Sequence, residues 1–195
     1  VEEKPIIIVE PNVSINGGTI KGTIFGSGNG STSHTNNANV NIKHDINDVY
    51  GGSFAGTAGT ATVNIISGNI NGTVFGAGYG EESQTTSTIV NIDNNVKDVY
   101  GGSFAGVTEN ATVNINSGTV SGTVYGAGEG STSTTDLTTV NIKSNVVDAF
   151  GGSYAGFAGT TNVNLISGNV SGNIYGGGNQ GITTTTNIFV TGGSI

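Results

Sequence analysis

The sequence predicts an all-β protein, a parallel β-helix (β-solenoid) of about seven coils of 25 residues, and three observations favour this fold. An aromatic residue followed by glycine returns every 25 residues from Phe25 to Tyr175. A second motif, Val-Asn-Ile or a close variant, lies between successive aromatic residues. No segment spaces its apolar residues as a helix does, and the 35 glycines disfavour helix. Strands and turns at a fixed period, in a chain too poor in apolar residues for one core, predict stacked coils.

Two unit types alternate along the chain. The octapeptide VYGGSFAG occupies residues 49–56 and 99–106, and AFGGSYAG follows at 149–156, so the close repeat is 50 residues. The aromatic marker precedes the Val motif by 13 residues at Tyr50 and by 15 at Phe75, and the rest of each unit compensates. A constant path of 25 residues is what one coil per unit requires. The marker is expected to pack in or against the core.

Each coil is predicted to contain two short strands and a fixed turn. Val-Asn-Ile alternates apolar and polar residues, so its Asn should face outward. Ser-Gly at 67–68, 117–118 and 167–168 marks one turn per coil. Right-handed winding is the usual outcome for parallel crossovers. An antiparallel meander with hairpins at Ser-Gly is the alternative, but it does not explain the constant unit length.

Stacking turns a repeated residue into a column along the solenoid. The repeated Asn should form an outward amide ladder, broken at Phe189 in the last coil. Its members are Asn41, Asn64, Asn91, Asn114, Asn141 and Asn164. A second column, Asp48, Asp98 and Asp148, recurs in every second coil and is expected to be structural.

Composition excludes several function classes. The net charge is −8, and all five cationic residues are isolated lysines, which argues against a nucleic-acid partner. The apolar run PIIIV at 5–9 is far shorter than the ~18 residues of a membrane-spanning segment. Without cysteine there is no disulfide or thiolate metal site, and no cofactor is predicted.

The repeats carry a resemblance to a known group of proteins. VNIISGNINGTVFGAG at 63–78 and VNINSGTVSGTVYGAG at 113–128 resemble the glycine-rich β-solenoid repeats of large bacterial cell-surface proteins. They are more distantly similar to adhesin-like parallel β-helices. The resemblance covers residues 11–195 and implies an extracellular, cell-surface setting with a role in adhesion or as a stalk. Such repeats specify a scaffold and carry no fixed site.

The predicted organisation is a linker or capping segment at 1–10 and a single β-solenoid repeat domain at 11–195, truncated in mid-coil. Ile195 aligns with Ile70 and Val170, which lie in the middle of a coil. We therefore expect a fragment of a longer repetitive protein. An open coil end exposes unpaired strand edges, so coils could also self-associate end to end.

The candidate ligand-contact residues lie four positions after the aromatic markers. This column contains Asn29, Phe54, Tyr79, Phe104, Glu129, Tyr154 and Asn179. Its aromatic members, Phe54, Tyr79, Phe104 and Tyr154, could contact a glycan or a protein surface of a host or of the environment. The alternative is that they cover the neighbouring glycines as a secondary core.

Other chemistries find less support in the sequence. A polysaccharide lyase needs a cationic base beside clustered acids, and the lysines stand apart. A Thr-x-Thr ladder for ice binding would include Thr60 and Thr62, but Asn110 and Asn162 interrupt it. The glycine-rich loops lack both the helix of a phosphate loop and the nine-residue period of calcium repeats. His34 and His44 have no counterparts in later coils, and both are expected to be exposed.

The sequence thus predicts a non-catalytic extracellular adhesion or stalk module of a bacterial surface protein. A carbohydrate-binding β-solenoid is the alternative, and an ice-binding protein or a polysaccharide lyase is less favoured. No enzyme activity is expected.

Overall fold

The computed structural model describes residues 11–195, so the linker or capping segment expected at 1–10 lies outside the described residues. Residues 11–195 form fifteen β-strands, numbered here in chain order, and contain no helix. No helix long and apolar enough to cross a membrane therefore exists within that range. The strands form a β-solenoid of about seven turns spaced about 25 residues apart, as predicted.

Two parallel sheets make up the solenoid. The first sheet contains, in spatial order, β1 (Asn12–Ile15), β3 (His34–Ile42), β5 (Thr57–Ile65), β7 (Gln84–Ile92), β9 (Val107–Ile115), β11 (Thr134–Ile142), β13 (Phe157–Leu165) and β15 (Ile182–Val190). The second sheet contains β2 (Ile24–Phe25), β4 (Val49–Tyr50), β6 (Ile70–Phe75), β8 (Val96–Tyr100), β10 (Thr119–Tyr125), β12 (Asn145–Phe150) and β14 (Ile174–Tyr175). Every pairing is parallel, so the antiparallel alternative is wrong.

The core lies between the two sheets and continues from coil to coil. In the first sheet Val63 pairs with Val40 and Val90, and the same alignment holds along the solenoid. The Val and Ile of each Val-Asn-Ile motif point inward and are fully buried, as period-two alternation requires. Some threonines are buried as well. Thr88 and Thr138 donate hydrogen bonds to glycine carbonyls across the core at 2.6 Å.

The Ser-Gly turns are confirmed, and their glycines need a backbone conformation that other residues avoid. Gly68, Gly118 and Gly168 have φ angles of 80°, 73° and 83°. These values lie in the left-handed region, where a Cβ atom is unfavourable. The turns therefore fix where the chain leaves the first sheet after β5, β9 and β13.

The glycine after each aromatic marker serves close packing instead. A Cβ atom on Gly101 would overlap the carbonyl oxygen of Gly126 in the next coil and approach the Val113 side chain. The equivalent contact exists at Gly26, Gly51, Gly76, Gly126 and Gly151. Adjacent coils therefore approach most closely along this column of glycines.

The two unit types have a structural explanation in the second sheet. We call a coil long where the marker lies ten positions after the Ile of Val-Asn-Ile, as Phe75 does after Ile65, and short where it lies eight positions after, as Tyr100 does after Ile92. The long coils carry one extra residue in the second sheet, so its register shifts by one residue between Ile70 and Thr73 and again between Val120 and Thr123. Such a bulge leaves a backbone group outside the regular ladder. The Asp48 carboxylate accepts a hydrogen bond from the Thr73 N–H at 2.8 Å. The alternating aspartates are therefore structural, as expected, and they stabilise the bulge of the following coil.

The asparagine ladder is also confirmed. Each side-chain amide donates to the side-chain oxygen of the preceding rung, from Asn64 to Asn41 at 2.9 Å through Asn164 to Asn141 at 2.8 Å. The intermediate distances are 2.8 to 2.9 Å. Asn164 pairs with Phe189 in the last coil, where the ladder ends.

The threonines considered for ice binding do not share one surface. The register aligns Thr60 with Ser87 and Thr62 with Ile89, whereas Thr88 aligns with Ala61 and is buried. Asn110 lies in the column of Thr60 and Asn162 in the column of Thr62, so both interrupt the ladder as the sequence indicated. In each nine-residue strand two adjacent residues, such as those at 59 and 60, point away from the core, which shifts the alternation by one residue.

Candidate functional site

The aromatic markers lie on the outer face of the second sheet, not in the core between the sheets. Val49 is fully buried in the core, and the next residue, Tyr50, must point to the opposite face because strand side chains alternate. The markers form an apolar cluster of their own, separate from the core between the sheets, whereas the sequence had left packing in or against the core open. We call these residues the marker column: Phe25, Tyr50, Phe75, Tyr100, Tyr125, Phe150 and Tyr175.

The rings of the marker column stack face to face along the whole solenoid. Centroid distances between neighbours run from 4.4 Å for Phe150 and Tyr175 to 5.0 Å for Phe25 and Tyr50. Neighbouring planes differ by 3° to 15°. Such offset stacking adds to the burial energy of each ring.

A second column covers the edge of the first. A glycine-rich segment after each marker, such as Gly-Gly-Ser at 51–53 or Gly-Ala-Gly at 76–78, returns the chain, so that the aromatic residue four positions after a marker lies beside the marker of the preceding coil. Phe54 contacts Phe25 edge-on at 5.8 Å, and Tyr79 contacts Tyr50 edge-on at 5.6 Å. We call this set the outer column: Asn29, Phe54, Tyr79, Phe104, Glu129, Tyr154 and Asn179.

The structure brings together three of the four predicted contact residues. Phe54, Tyr79 and Phe104 stack at 5.2 and 4.9 Å. Tyr154 lies two rungs from Phe104, because Glu129 occupies the rung between them. Phe54 and Tyr79 are 41% and 36% exposed, whereas Phe104 and Tyr154 are half-buried.

The outer column presents ring edges to solvent, and this limits what it can bind. Stacking uses both faces of Tyr79, and one face each of Phe54 and Phe104. A sugar that stacks on an aromatic residue needs an open ring face. These rings pack against the marker column, and this arrangement corresponds to the alternative in which the aromatic residues form a secondary core.

Burial dominates the electrostatics of this face. Desolvation raises the pKa of Tyr50 and Tyr100 far above the ordinary tyrosine value, with smaller contributions from the charges of Asp48 and Glu129 respectively. Burial also raises the pKa of Tyr125. The pKa of Glu129 is raised by burial and, to a lesser degree, by the charge of Asp98. Sequence reasoning placed Glu129 in this column, but not as a half-buried charge between two rings.

The remaining candidates do not converge on a site. Within residues 11–195 no group of three or more acidic or histidine side chains could hold a metal ion. His34 is exposed and interacts with the Thr57 hydroxyl at 2.7 Å and the Asn36 side chain at 3.1 Å. The exposed Lys97 pairs with the half-buried carboxylate of Asp98 at 3.6 Å.

Comparison with known proteins adds no relative. No protein-family model matches the chain, and no curated protein or solved structure matches it significantly.

Proposed function

We propose that this chain is a non-catalytic spacer or adhesion module of an extracellular bacterial surface protein, and that its main task is to hold other parts of that protein at a distance. One observation carries the proposal. Every stabilising column runs parallel to the solenoid axis: the core valines, the asparagine ladder and the marker column. A fold of this kind can be lengthened by adding coils without changing its cross-section.

The surface setting is supported by the resemblance of the repeats to those of bacterial cell-surface proteins. An antibody raised against residues 11–195 should label intact cells of the source organism without permeabilisation. Labelling that requires permeabilised cells would overturn this part of the proposal.

The spacer role can be tested by lengthening the chain. A second copy of residues 76–125 inserted after Tyr125 adds two coils and keeps the alternation of unit types. Small-angle X-ray scattering should show a particle longer by about 10 Å, at two strand spacings, with an unchanged cross-sectional radius. A particle that grows in cross-section, or that loses its β-sheet circular dichroism, would contradict the proposal.

A single-coil duplication provides the matched control. A second copy of residues 101–125 after Tyr125 places two long coils in succession. The bulge of the second copy then lies next to Thr123 of the first copy, where wild type has Asp98 next to the bulge. This variant should be less stable than the 50-residue duplication. Equal stability of the two variants would show that the alternation does not matter.

The last coil exposes large apolar side chains. Ile182, Phe189 and Val190 are 72%, 53% and 57% exposed there. A further coil, from the same chain or from a second copy stacked end to end, would bury them. Analytical ultracentrifugation of wild type and a Phe189→Asn variant distinguishes these cases, because only association between copies depends on concentration.

Carbohydrate binding is the second candidate, favoured by the exposed rings of Phe54 and Tyr79. A glycan array probed with wild type and with Phe104→Ala tests it. Selective binding that Phe104→Ala abolishes would support a lectin-like adhesin. The stacked ring faces give this candidate less support than the spacer role.

A further inference from the structure

Within the aromatic stretch of the outer column, from Phe54 to Tyr154, the rung of Glu129 has no ring. The N–H of Glu129 donates to the Ser103 carbonyl at 3.1 Å, as the N–H of Tyr79 donates to the Ser53 carbonyl at 3.1 Å. The two residues therefore occupy equivalent backbone positions two coils apart. Glu129 stands where the pattern of the column would place an aromatic side chain.

The missing ring leaves a slot between two aromatic faces. Phe104 stacks on Tyr79 on one side, and its other face is turned towards the rung of Glu129. Tyr154 lies on the far side of that rung and is anchored edge-on to Tyr125 at 6.0 Å. Two coil spacings separate Phe104 from Tyr154, or about 10 Å. A flat group halfway between them would lie about 5 Å from each ring, within the ~6 Å range of a cation–π contact.

The slot carries an uncompensated negative charge. Glu129 is half-buried, and its carboxylate has no hydrogen-bond or ion-pair partner among residues 11–195. Burial and the neighbouring Asp98 both disfavour the charged carboxylate. A cationic ligand would supply the missing partner, whereas a neutral aromatic ligand would bury the charge further without one.

We propose that Phe104, Glu129 and Tyr154 bind the guanidinium group of an arginine side chain on a basic partner protein. A guanidinium is planar, stacks on aromatic faces, is weakly hydrated and pairs with a carboxylate through two parallel hydrogen bonds. A lysine ammonium shares the charge but not the flat shape. These 195 residues carry no arginine and a net charge of −8, so the guanidinium has to come from outside them. The inference goes beyond the spacer role and does not depend on it.

The binding can be tested with short peptides on the folded protein. Titration with Gly-Arg-Gly, followed by NMR, should shift the ring resonances of Phe104 and Tyr154. Gly-Lys-Gly should bind at least about threefold more weakly, because it lacks the stacking plane. Glu129→Gln should weaken Gly-Arg-Gly binding roughly tenfold, since it removes the charge-assisted hydrogen bonds and leaves the shape unchanged.

Two further variants make the test specific. Glu82→Gln removes the same charge from an exposed loop and should leave binding unchanged. Glu129→Tyr fills the slot with a ring, so it should abolish binding and raise the melting temperature. The proposal is overturned if Glu82→Gln weakens binding as much as Glu129→Gln, or if Glu129→Tyr still binds. It is also overturned if Gly-Lys-Gly binds as tightly as Gly-Arg-Gly.

Discussion

The Asp98 carboxylate accepts a hydrogen bond from the backbone N–H of Thr123 at 2.8 Å, beside the register shift of the second sheet. The contact joins a short coil to the following long coil. Asp98→Ala should lower the free energy of unfolding by about 1–3 kcal/mol, because the half-buried N–H of the bulge loses its partner. Urea denaturation measures this loss. Asp93→Ala, at an exposed turn, is the control and should change stability by less than about 0.5 kcal/mol.

The glycine of the same bulge should be coupled to this aspartate. A Cβ atom on Gly122 would overlap the Asp98 carboxylate, so Gly122→Ala should destabilise wild type. In the Asp98→Ala background the main obstruction is absent, and the cost should fall by about 1 kcal/mol. A double-mutant cycle by urea denaturation gives the coupling. If the two losses of stability simply add, the methyl group of Gly122→Ala does not clash with the Asp98 carboxylate, and the prediction is wrong.

The middle of the asparagine ladder should matter more than its end. Asn114 donates to Asn91 at 2.9 Å and accepts from Asn141 at 2.9 Å, whereas Asn164 makes only one ladder bond. Asn114→Ala should therefore cost about 1–2 kcal/mol and Asn164→Ala about half of that. Thermal unfolding of the two variants makes the comparison. Equal losses of stability would show that the two ladder bonds of Asn114 stabilise the fold no more than the one bond of Asn164.

The glycine column should tolerate no side chain. Gly101→Ala would drive a methyl group into the Gly126 carbonyl, and we expect a loss of at least ~3 kcal/mol or failure to fold. Gly30→Ala is the matched control, because a Cβ atom there meets nothing within 4 Å. Circular dichroism and urea denaturation separate the two. A folded, fully stable Gly101→Ala variant would contradict the observed coil spacing.

Stability should fall in alkali because of the buried tyrosines. The pKa values of Tyr50, Tyr100 and Tyr125 are raised in the folded state, so the unfolded chain loses these protons first. The free energy of unfolding should then be unaffected below the unfolded pKa of about 10 and decrease as pH rises above it.

Absorbance at 295 nm, recorded together with circular dichroism, tests this pH dependence. About half of the six-tyrosine signal should appear only as the fold is lost. Tyr100→Phe should reduce that cooperative part by about one third. A single titration of all tyrosines near pH 10, with the fold intact, would contradict the burial of these rings.

Features that depend on position along the chain could be predicted from the sequence. The 25-residue period, the compensated spacing after Tyr50 and Phe75, and the turn at Gly68 follow from path length and backbone angles. The asparagine ladder follows from the period alone. These features need no knowledge of which surfaces meet.

Features that depend on packing between coils were harder to predict. Alternation after the buried Val49 places Tyr50 on the outer face, whereas the aromatic period alone left open whether the marker packs in or against the core. The sequence placed Glu129 between Phe104 and Tyr154, but the stacking that decides which ring faces stay open there comes from the structure.

The direction of the hydrogen bonds between coils has a mechanical consequence. Because these bonds run along the axis, compression and bending meet a packed core, whereas tension between the two ends peels coils away one at a time. Each coil occupies about 5 Å of the folded rod, and its 25 residues extend to about 80–90 Å when unravelled. A rod built in this way resists bending, but under tension it lengthens in steps as successive coils unfold, while the remaining coils stay folded.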